Sequence, residues 1–133
     1  NMESDTMSTL PQISDAEWNV MSVVWENEKC TANEIVTALS KTTTWSPKTI
    51  KTMISRLVKK NALAYEVDSK DKKTYHYFSK VSEDECVRNA SKSFIKRVFK
   101  GSLNAMMANF VKEAELTEED IKELKSILDK KKG

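Results

Sequence analysis

A segment rich in positive charge, from Lys41 to Lys60, carries the clearest chemistry in this sequence. Its letters, KTTTWSPKTIKTMISRLVKK, include six basic side chains and no acid, although the formal net charge of the whole chain is only +2. The apolar residues of the segment recur at helical spacing, which predicts a helix with one buried and one solvent-facing side. Because the solvent-facing side is positive, it attracts polyanions and indicates contact with nucleic acid.

The polar side of this helix holds two groups of residues with different expected contacts. The N-terminal part of a helix that reads DNA enters the major groove, where base edges present a distinct pattern of donors and acceptors. The predicted base-contacting residues are Lys48, Thr49, Lys51 and Thr52. The predicted phosphate contacts are Ser46 at the helix start and Arg56, Lys59 and Lys60 further along. A solvated basic face without a partner is the alternative, and the neighbouring elements make it the less favoured one.

Residues suited to catalysis or metal binding are sparse. The chain has one histidine, His76 in the string YHYF, and it has no glycine-rich phosphate loop. The two cysteines, Cys30 and Cys86, lack the spacing of a zinc site or of a disulfide framework. We therefore expect no enzymatic activity, no cofactor and no bound metal, and we expect both thiols to lie in the core.

Capping side chains mark where the helices begin. In a capping box, a hydroxyl and a carboxylate satisfy two backbone N–H groups that have no partner within the helix. Three stretches fit this pattern, Ser14–Glu17, Thr31–Glu34 and Ser82–Glu85. Ser46 and Pro47 suit the N-cap and the first position of the basic helix.

The chain that follows the basic helix predicts a β-hairpin. Asn61 suits the left-handed position that ends a helix, and residues 63–67 and 74–78 are rich in Tyr, Val and Phe. The polar turn between these two stretches adds three candidate phosphate contacts, Lys70, Lys72 and Lys73. Three helices followed by a basic hairpin is the order of a winged helix-turn-helix domain. The alternative for the three turn lysines is that they are only solvated and contact no partner.

The fold class that we predict is mainly α. An N-terminal winged helix-turn-helix domain, with three helices and a β-hairpin wing, spans residues 12–80, and a C-terminal three-helix dimerisation region spans residues 81–131. Three short amphipathic helices bury little surface by themselves and would be stabilised by a second copy of the chain. The apolar residues expected at this homodimer interface are Phe94, Ile95, Val98, Leu103, Met106, Met107, Phe110, Ile121, Leu124 and Leu128.

Four strings make the sequence resemble one bacterial family. ISDAEWNVMSVVW, TANEIVTALS, WSPKTIKTMISRLVKK and SFIKRVFKGSLNAMMANF are similar to the penicillinase and methicillin-resistance repressors, the BlaI/MecI family. The resemblance covers about residues 12–128. It implies a homodimeric winged-helix repressor that binds palindromic double-stranded operators with TACA/TGTA half-sites. It also implies control of a β-lactamase or a resistant penicillin-binding protein, often together with the repressor's own operon.

The same resemblance implies a route of inactivation. Repressors of this family are cut between Asn and Phe in response to a membrane-bound, penicillin-sensing metalloprotease. The matching bond here is Asn109–Phe110 in AMMANFVKE. Copper-responsive relatives carry a cysteine cluster near the C-terminus, and the string SILDKKKG has none, which disfavours direct metal sensing.

The remaining expectations concern location and competing functions. No apolar stretch approaches the length of a membrane span, and the polar start NMESDTMSTLPQ is unlike a secretory signal, so we expect a cytoplasmic protein without membrane insertion. Two alternatives stay open. One is a winged-helix module that binds other proteins, and the other is a repressor of an unrelated operon with a different signal.

Overall fold

The computed structural model describes residues 10–132, and residues 1–9, which hold most of the polar string NMESDTMSTLPQ, lie outside this range. Six helices and three strands follow one another along the described chain. In chain order they are α1 Asp15–Asn27, β1 Lys29–Thr31, α2 Ala32–Ser40, α3 Pro47–Lys59, β2 Leu63–Val67, β3 Tyr75–Ser79, α4 Glu83–Val98, α5 Leu103–Glu113 and α6 Glu118–Lys132. The predicted order, three helices and a hairpin followed by three helices, is confirmed.

The helix starts follow the predicted capping chemistry in two of the three boxes. The boxes Ser14–Glu17 and Thr31–Glu34 are complete, with hydroxyl and carboxylate each accepting a backbone N–H. At the start of α4 the Ser82 hydroxyl accepts the Glu85 N–H and donates to the Glu85 carboxylate. The bond from the Ser82 N–H to that carboxylate is missing, so the third box is incomplete.

The sheet contains a strand that the sequence pattern did not predict. Its order is β1-β3-β2, and all pairs are antiparallel, with Cys30 opposite Tyr77 and Tyr65 also opposite Tyr77. β1 is only three residues long, too short for alternation of apolar and polar residues to show. It exists because β3 offers it a free edge, and it ties the start of α2 to the hairpin.

The core belongs to the N-terminal part of the chain. α1 contributes Val20, Met21 and Val24, and α3 contributes the face around Ile54 and Leu57, all at most 2% exposed. The chain folds as two compact units, the first ending at Val87 and the second beginning at Arg88, within α4. The proposed functional division after residue 80 stays a prediction.

Polar contacts at both ends of α1 hold it against the rest of the first unit. The indole N–H of Trp25 donates to the Ser79 hydroxyl at 3.0 Å and to the Val81 carbonyl at 3.1 Å. At its other end α1 places Glu17, which is 3% exposed, against the ammonium of Lys60 just after α3. Burial by itself would raise the pKa of Glu17, but Lys60 and Ser14 outweigh it and hold that pKa below its usual value.

We expect Glu17→Gln to lower the free energy of unfolding by about 1 to 2 kcal/mol. This is somewhat less than the roughly 1.5–3 kcal/mol of a hydrogen bond to a charged group, because solvent partly screens Lys60. Since the folded-state pKa is depressed, this contribution is present above the ordinary value near 4.5 and is lost as the pH falls below it. Urea unfolding at neutral pH and at progressively lower pH measures both effects.

Glu26→Gln is the matched control, because Glu26 is an exposed acid on the same helix. Equal unfolding curves for the two variants at neutral pH would contradict a stabilising role for the ion pair.

Candidate nucleic-acid interface

Capping and burial together fix how α3 is presented. The Ser46 hydroxyl accepts the Thr49 N–H at 3.1 Å, and Pro47 occupies the first turn, where its missing N–H costs nothing. The apolar face of α3 is buried through Ile50, Met53, Ile54 and Leu57. Its opposite face must therefore point to solvent, and that is the basic face.

The four predicted base-contacting residues, Lys48, Thr49, Lys51 and Thr52, are all exposed on α3. The hydrogen bonds of the two threonines differ. The Thr49 hydroxyl accepts from the Ser46 hydroxyl at 3.1 Å, so its own hydrogen is free to donate. The Thr52 hydroxyl donates to the Lys48 carbonyl at 2.9 Å, so its lone pairs and methyl group face outward. The exposed face thus offers one hydroxyl donor, one hydroxyl acceptor and two ammonium groups.

The predicted phosphate contacts on α3 do not share one environment. Arg56 and Lys59 are exposed in the last turns of the helix. The Ser46 hydroxyl, by contrast, is used in capping. The Lys60 ammonium donates to the Gln12 carbonyl at 2.9 Å and pairs with the Glu17 carboxylate. A DNA contact by Lys60 stays a prediction, and it would have to use the one N–H of the ammonium that these two bonds leave over, or break one of them.

The hairpin β2–β3, here called the wing, brings a second set of cations to the same side of the unit. Lys70, Lys72 and Lys73 are all exposed in its turn. A shallow cleft of about 200 Å³ joins the wing to α3, with Lys73 and Lys51 both on its walls. Two ammonium groups that lie 22 positions apart in sequence therefore border one depression.

Sequence reasoning missed the other walls of this cleft. Tyr75 and Tyr77 of β3 line it, together with Thr31, Ala32 and Asn33 at the start of α2. Tyr75 also stacks on Tyr65 across the wing, with ring centroids 4.2 Å apart. The capping box at Thr31 was a usable signal, since the first amides of a helix have no partner within it and favour anions. The tyrosines gave no such signal, because alternation in a strand does not tell which face borders a groove.

The predicted dimer interface lies in the second unit, where it is open to solvent. Neither α5 nor α6 has a buried residue, and α4 buries only Cys86, which lies before the boundary. Large exposed apolar side chains of this unit are Phe94, Val98, Leu103, Phe110, Val111, Ile121, Ile127 and Leu128. Val111 and Ile127 were not in the predicted set. An apolar hollow of about 360 Å³ between α4 and α5 is lined by Phe94, Ile95, Met106 and Phe110, among others.

The predicted cleavage bond, Asn109–Phe110, lies within α5. Both residues are exposed, and Phe110 is 47% exposed. The Phe110 carbonyl accepts the Ala114 N–H at 2.8 Å. The side chains of this bond are therefore accessible while its backbone is held in helical hydrogen bonds.

The two cysteines are free and buried, as predicted. Burial, with a smaller contribution from Glu34, raises the pKa of Cys30 to about 11, and burial also raises the pKa of Cys86. Both thiols are therefore protonated at neutral pH.

Within residues 10–132 no group of three His, Cys, Asp or Glu side chains is arranged to hold a metal ion. Over the same range no helix has the length and apolar character needed to cross a bilayer.

Comparison with known sequences places this arrangement among repressors. Residues 13–130 match the family model described as penicillinase repressor. The penicillinase repressor of Bacillus licheniformis is 43% identical over 127 residues, which are 96% of this chain and 97% of that protein. The methicillin resistance regulatory protein MecI of Staphylococcus aureus strain N315 is 41% identical over 90% of this chain and 95% of its own.

A solved complex resembles part of this chain. It is the solution structure of the monomeric form of Bacillus licheniformis BlaI bound to the blaP half-operator. The two structures share 45% identity and a TM-score of 0.50, over 56% of this chain and 88% of the other. More than half of this chain therefore matches a repressor structure that was solved with its half-operator.

Proposed function

The chain belongs to the penicillinase repressor family, and we propose accordingly that it is a DNA-binding transcriptional repressor of β-lactam-resistance genes. This role requires no catalysis by the chain itself. A repressor works by occupying DNA, and the groups on the exposed side of α3 are those needed for occupancy. The BlaI structure in complex with a half-operator supports a double-stranded DNA partner. A protein with this partner would act in the cytoplasm, where bacterial operators are.

The observation that carries the proposal is the division of α3 into a buried apolar face and an exposed basic one. The buried face includes Ile50 and Leu57, so α3 cannot turn its cations inward. Lys48 and Thr49 lie in its first turn, the part that enters a major groove in proteins of this architecture. Of the wing lysines, Lys73 borders the cleft beside Lys51, where it can contact an adjacent phosphate.

We further propose that two copies of the chain pair through the second unit. That unit has its own helices but no buried residue among those described, and its exposed side chains include Phe110 and Leu128. Fully burying one such side chain contributes about 1.5–3 kcal/mol, so covering several of them gives a strong drive to associate. A second copy offers the same apolar surface, which makes the pairing self-complementary.

Pairing of two chains through their second units would let the small DNA-binding surface of each first unit, here called a head, hold an operator. Each α3 would read one half-site of a palindrome, and the expected half-sites are TACA/TGTA. A two-fold dimer places such helices about 34–36 Å apart, one turn of DNA. Once one head is bound, the second binds at a high effective concentration, so the dimer binds far more tightly than one head. Separation of the two second units would therefore release the DNA.

The Asn109–Phe110 bond is the proposed point at which a membrane-bound sensor metalloprotease causes that separation. Cutting there divides α5 and detaches α6 from the rest of the chain. Because proteases bind extended substrates and this bond lies in a helix, α5 must unwind locally before it is cut. In the proposed dimer Phe110 is covered, so the pair must first open transiently. Because α5 has no buried residue within its own chain, it can then unwind at a small cost in free energy.

The base-reading role is tested by combining Lys48→Ala with Thr49→Ala. We expect the wild-type chain to bind a palindromic TACA/TGTA duplex more tightly than a scrambled duplex of equal composition. The double variant should lose most of that preference, since each specific base contact contributes about 1–3 kcal/mol of discrimination. Fluorescence anisotropy titrations with both duplexes measure the ratio of affinities.

Lys59→Ala is the control for charge alone. It should weaken binding to both duplexes by a similar factor and leave the ratio unchanged, because phosphate contacts carry no sequence information. Equal binding of the wild-type chain to both duplexes would contradict specific repression and favour a winged-helix module with another partner. If the chain bound specifically only to an operator of unrelated genes, those genes and not the resistance genes would be its target.

The cleavage proposal is tested with Asn109→Ala. In cells that contain the sensor protease, β-lactam exposure should cut the wild-type chain at the Asn109–Phe110 bond and leave the variant intact, as mass spectrometry of the fragments would show. Asn104→Ala, on the same helix, is the control and should be cut like the wild type. Cleavage of Asn109→Ala at the same bond and rate would show that the site inferred from the family is wrong.

A further inference from the structure

The turn of the wing is built by two aspartates. One carboxylate oxygen of Asp68 accepts the N–H groups of Lys70 and Asp71, at 3.0 and 2.8 Å. Asp71 in turn accepts the Lys73 N–H at 3.1 Å and the Thr74 hydroxyl at 2.8 Å. The backbone of the turn is therefore held by side-chain oxygens, although nearly all of it is exposed.

His76, the single histidine of the chain, joins this turn to the sheet. Its Nε2 lies 2.9 Å from the second carboxylate oxygen of Asp68, across eight residues of sequence. Because an ionised carboxylate only accepts hydrogen bonds, Nε2 carries the hydrogen and donates it. On β3, His76 lies opposite Glu66 of β2 and Thr31 of β1, so the ring stands on the middle strand of the sheet.

Asp68 is consequently tied at both oxygens. The Asp71 N–H, His76 and the Lys70 N–H together lower the pKa of Asp68 to about 2, so this carboxylate is ionised at neutral pH. A permanent negative charge here, among the wing lysines, opposes binding to phosphates by simple Coulomb repulsion. An aspartate at this position is explained if, for DNA binding, the shape that Asp68 gives the wing turn matters more than its negative charge.

The lysines that depend on this geometry are the proposed phosphate contacts of the wing. The N–H groups of Lys70 and Lys73 are bonded directly to Asp68 and Asp71, and Lys72 lies between them. Lys73 also borders the cleft that contains Lys51. A loose turn would carry the same charge, but its side chains and backbone would have to be ordered on binding, and a lysine whose contact does not outweigh that cost would leave its phosphate unneutralised.

We propose that Asp68 and His76 are positioning residues for DNA binding: their hydrogen bond holds the wing turn so that Lys70, Lys72 and Lys73 meet the phosphate backbone already ordered. This inference rests on the proposed DNA-binding function. It assigns a role in binding to two residues that contact no DNA themselves, one of them acidic.

The first test compares Asp68→Asn with Glu66→Gln. Each change removes one negative charge from the wing, and Glu66 takes part only in an exposed pair with Lys29 at 2.9 Å. Charge alone predicts tighter DNA binding by both variants. We expect Asp68→Asn to bind about tenfold more weakly, the order expected when several side chains must be ordered on binding. Glu66→Gln should bind as tightly as the wild type or more tightly.

The second test compares two changes at His76. In His76→Gln the side-chain amide can replace Nε2 as the donor to Asp68, so the affinity for DNA should stay within about twofold of wild type. In His76→Phe an aromatic ring remains but the donor is absent, so we expect the affinity to fall about tenfold. Rescue by Gln and not by Phe separates the hydrogen bond from the packing of the ring.

The measurement is fluorescence anisotropy of the full chain with a labelled duplex that carries inverted TACA/TGTA half-sites, over roughly 50 to 200 mM salt. The slope of log affinity against log salt should become shallower by about 0.9 for each phosphate that Asp68→Asn or His76→Phe leaves unneutralised. Thermal unfolding of each variant is recorded alongside. A purely structural role would lower the unfolding temperature and leave the salt slope unchanged.

The outcomes separate this inference from the function on which it rests. A wild-type chain that does not bind the duplex overturns the proposed function together with the inference. A wild-type chain that binds, with Asp68→Asn and His76→Phe binding as tightly and with the same salt slope, overturns the inference alone.

Discussion

Burial of the apolar face of α3 determines which way the DNA-facing surface of this protein points. Ile50, Met53, Ile54 and Leu57 are at most 5% exposed, and rotating the helix by a quarter turn would bring them into water. That cost is several kcal/mol, at about 1.5–3 kcal/mol for each large apolar side chain. The direction of the basic face is therefore fixed by the hydrophobic effect, without any contribution from DNA. The ion pair of Glu17 with Lys60 and the cap at Ser46 secure the two ends of the same helix.

Much of this arrangement is predictable from the sequence because it depends on short-range chemistry. Helical periodicity identifies the buried face of α3, and the start and end of the helix follow from Ser46-Pro47 and from Asn61, which has a φ of 66°. Interactions over longer sequence separations are a different matter. β1 forms only because β3 presents an edge to it, and Lys60 finds Glu17 across 43 positions. The charge of Lys60 suggested a DNA contact because sequence alone does not show where a long side chain ends.

The interface shows the same division. Exposure of Lys48, Thr49, Lys51 and Thr52 follows from their positions on the helix. The cleft that brings Lys51 to Lys73 depends on how the wing closes over α2, and no periodic pattern encodes that. The bond between His76 and Asp68 is a further case: each residue is ordinary in its own element, and only the closed turn brings them to 2.9 Å. Resemblance to the family supplied the bond Asn109–Phe110, which no physical pattern distinguishes from its neighbours.

The first unit has a core, whereas the second is a set of amphipathic helices with exposed apolar faces. A core of its own lets the first unit present a fixed basic surface. The second unit has no buried residue among those described, and we propose that a second copy of the chain covers its exposed apolar side chains. In the proposed mechanism, pairing through the second unit places two α3 helices on one operator.

Hydroxyl-radical footprinting of the full chain on a TACA/TGTA palindrome tests that pairing. We expect two protected half-sites about one DNA turn apart, appearing together as protein is added. Protection of a single half-site, or of half-sites that fill independently, would show that the two heads are not coupled.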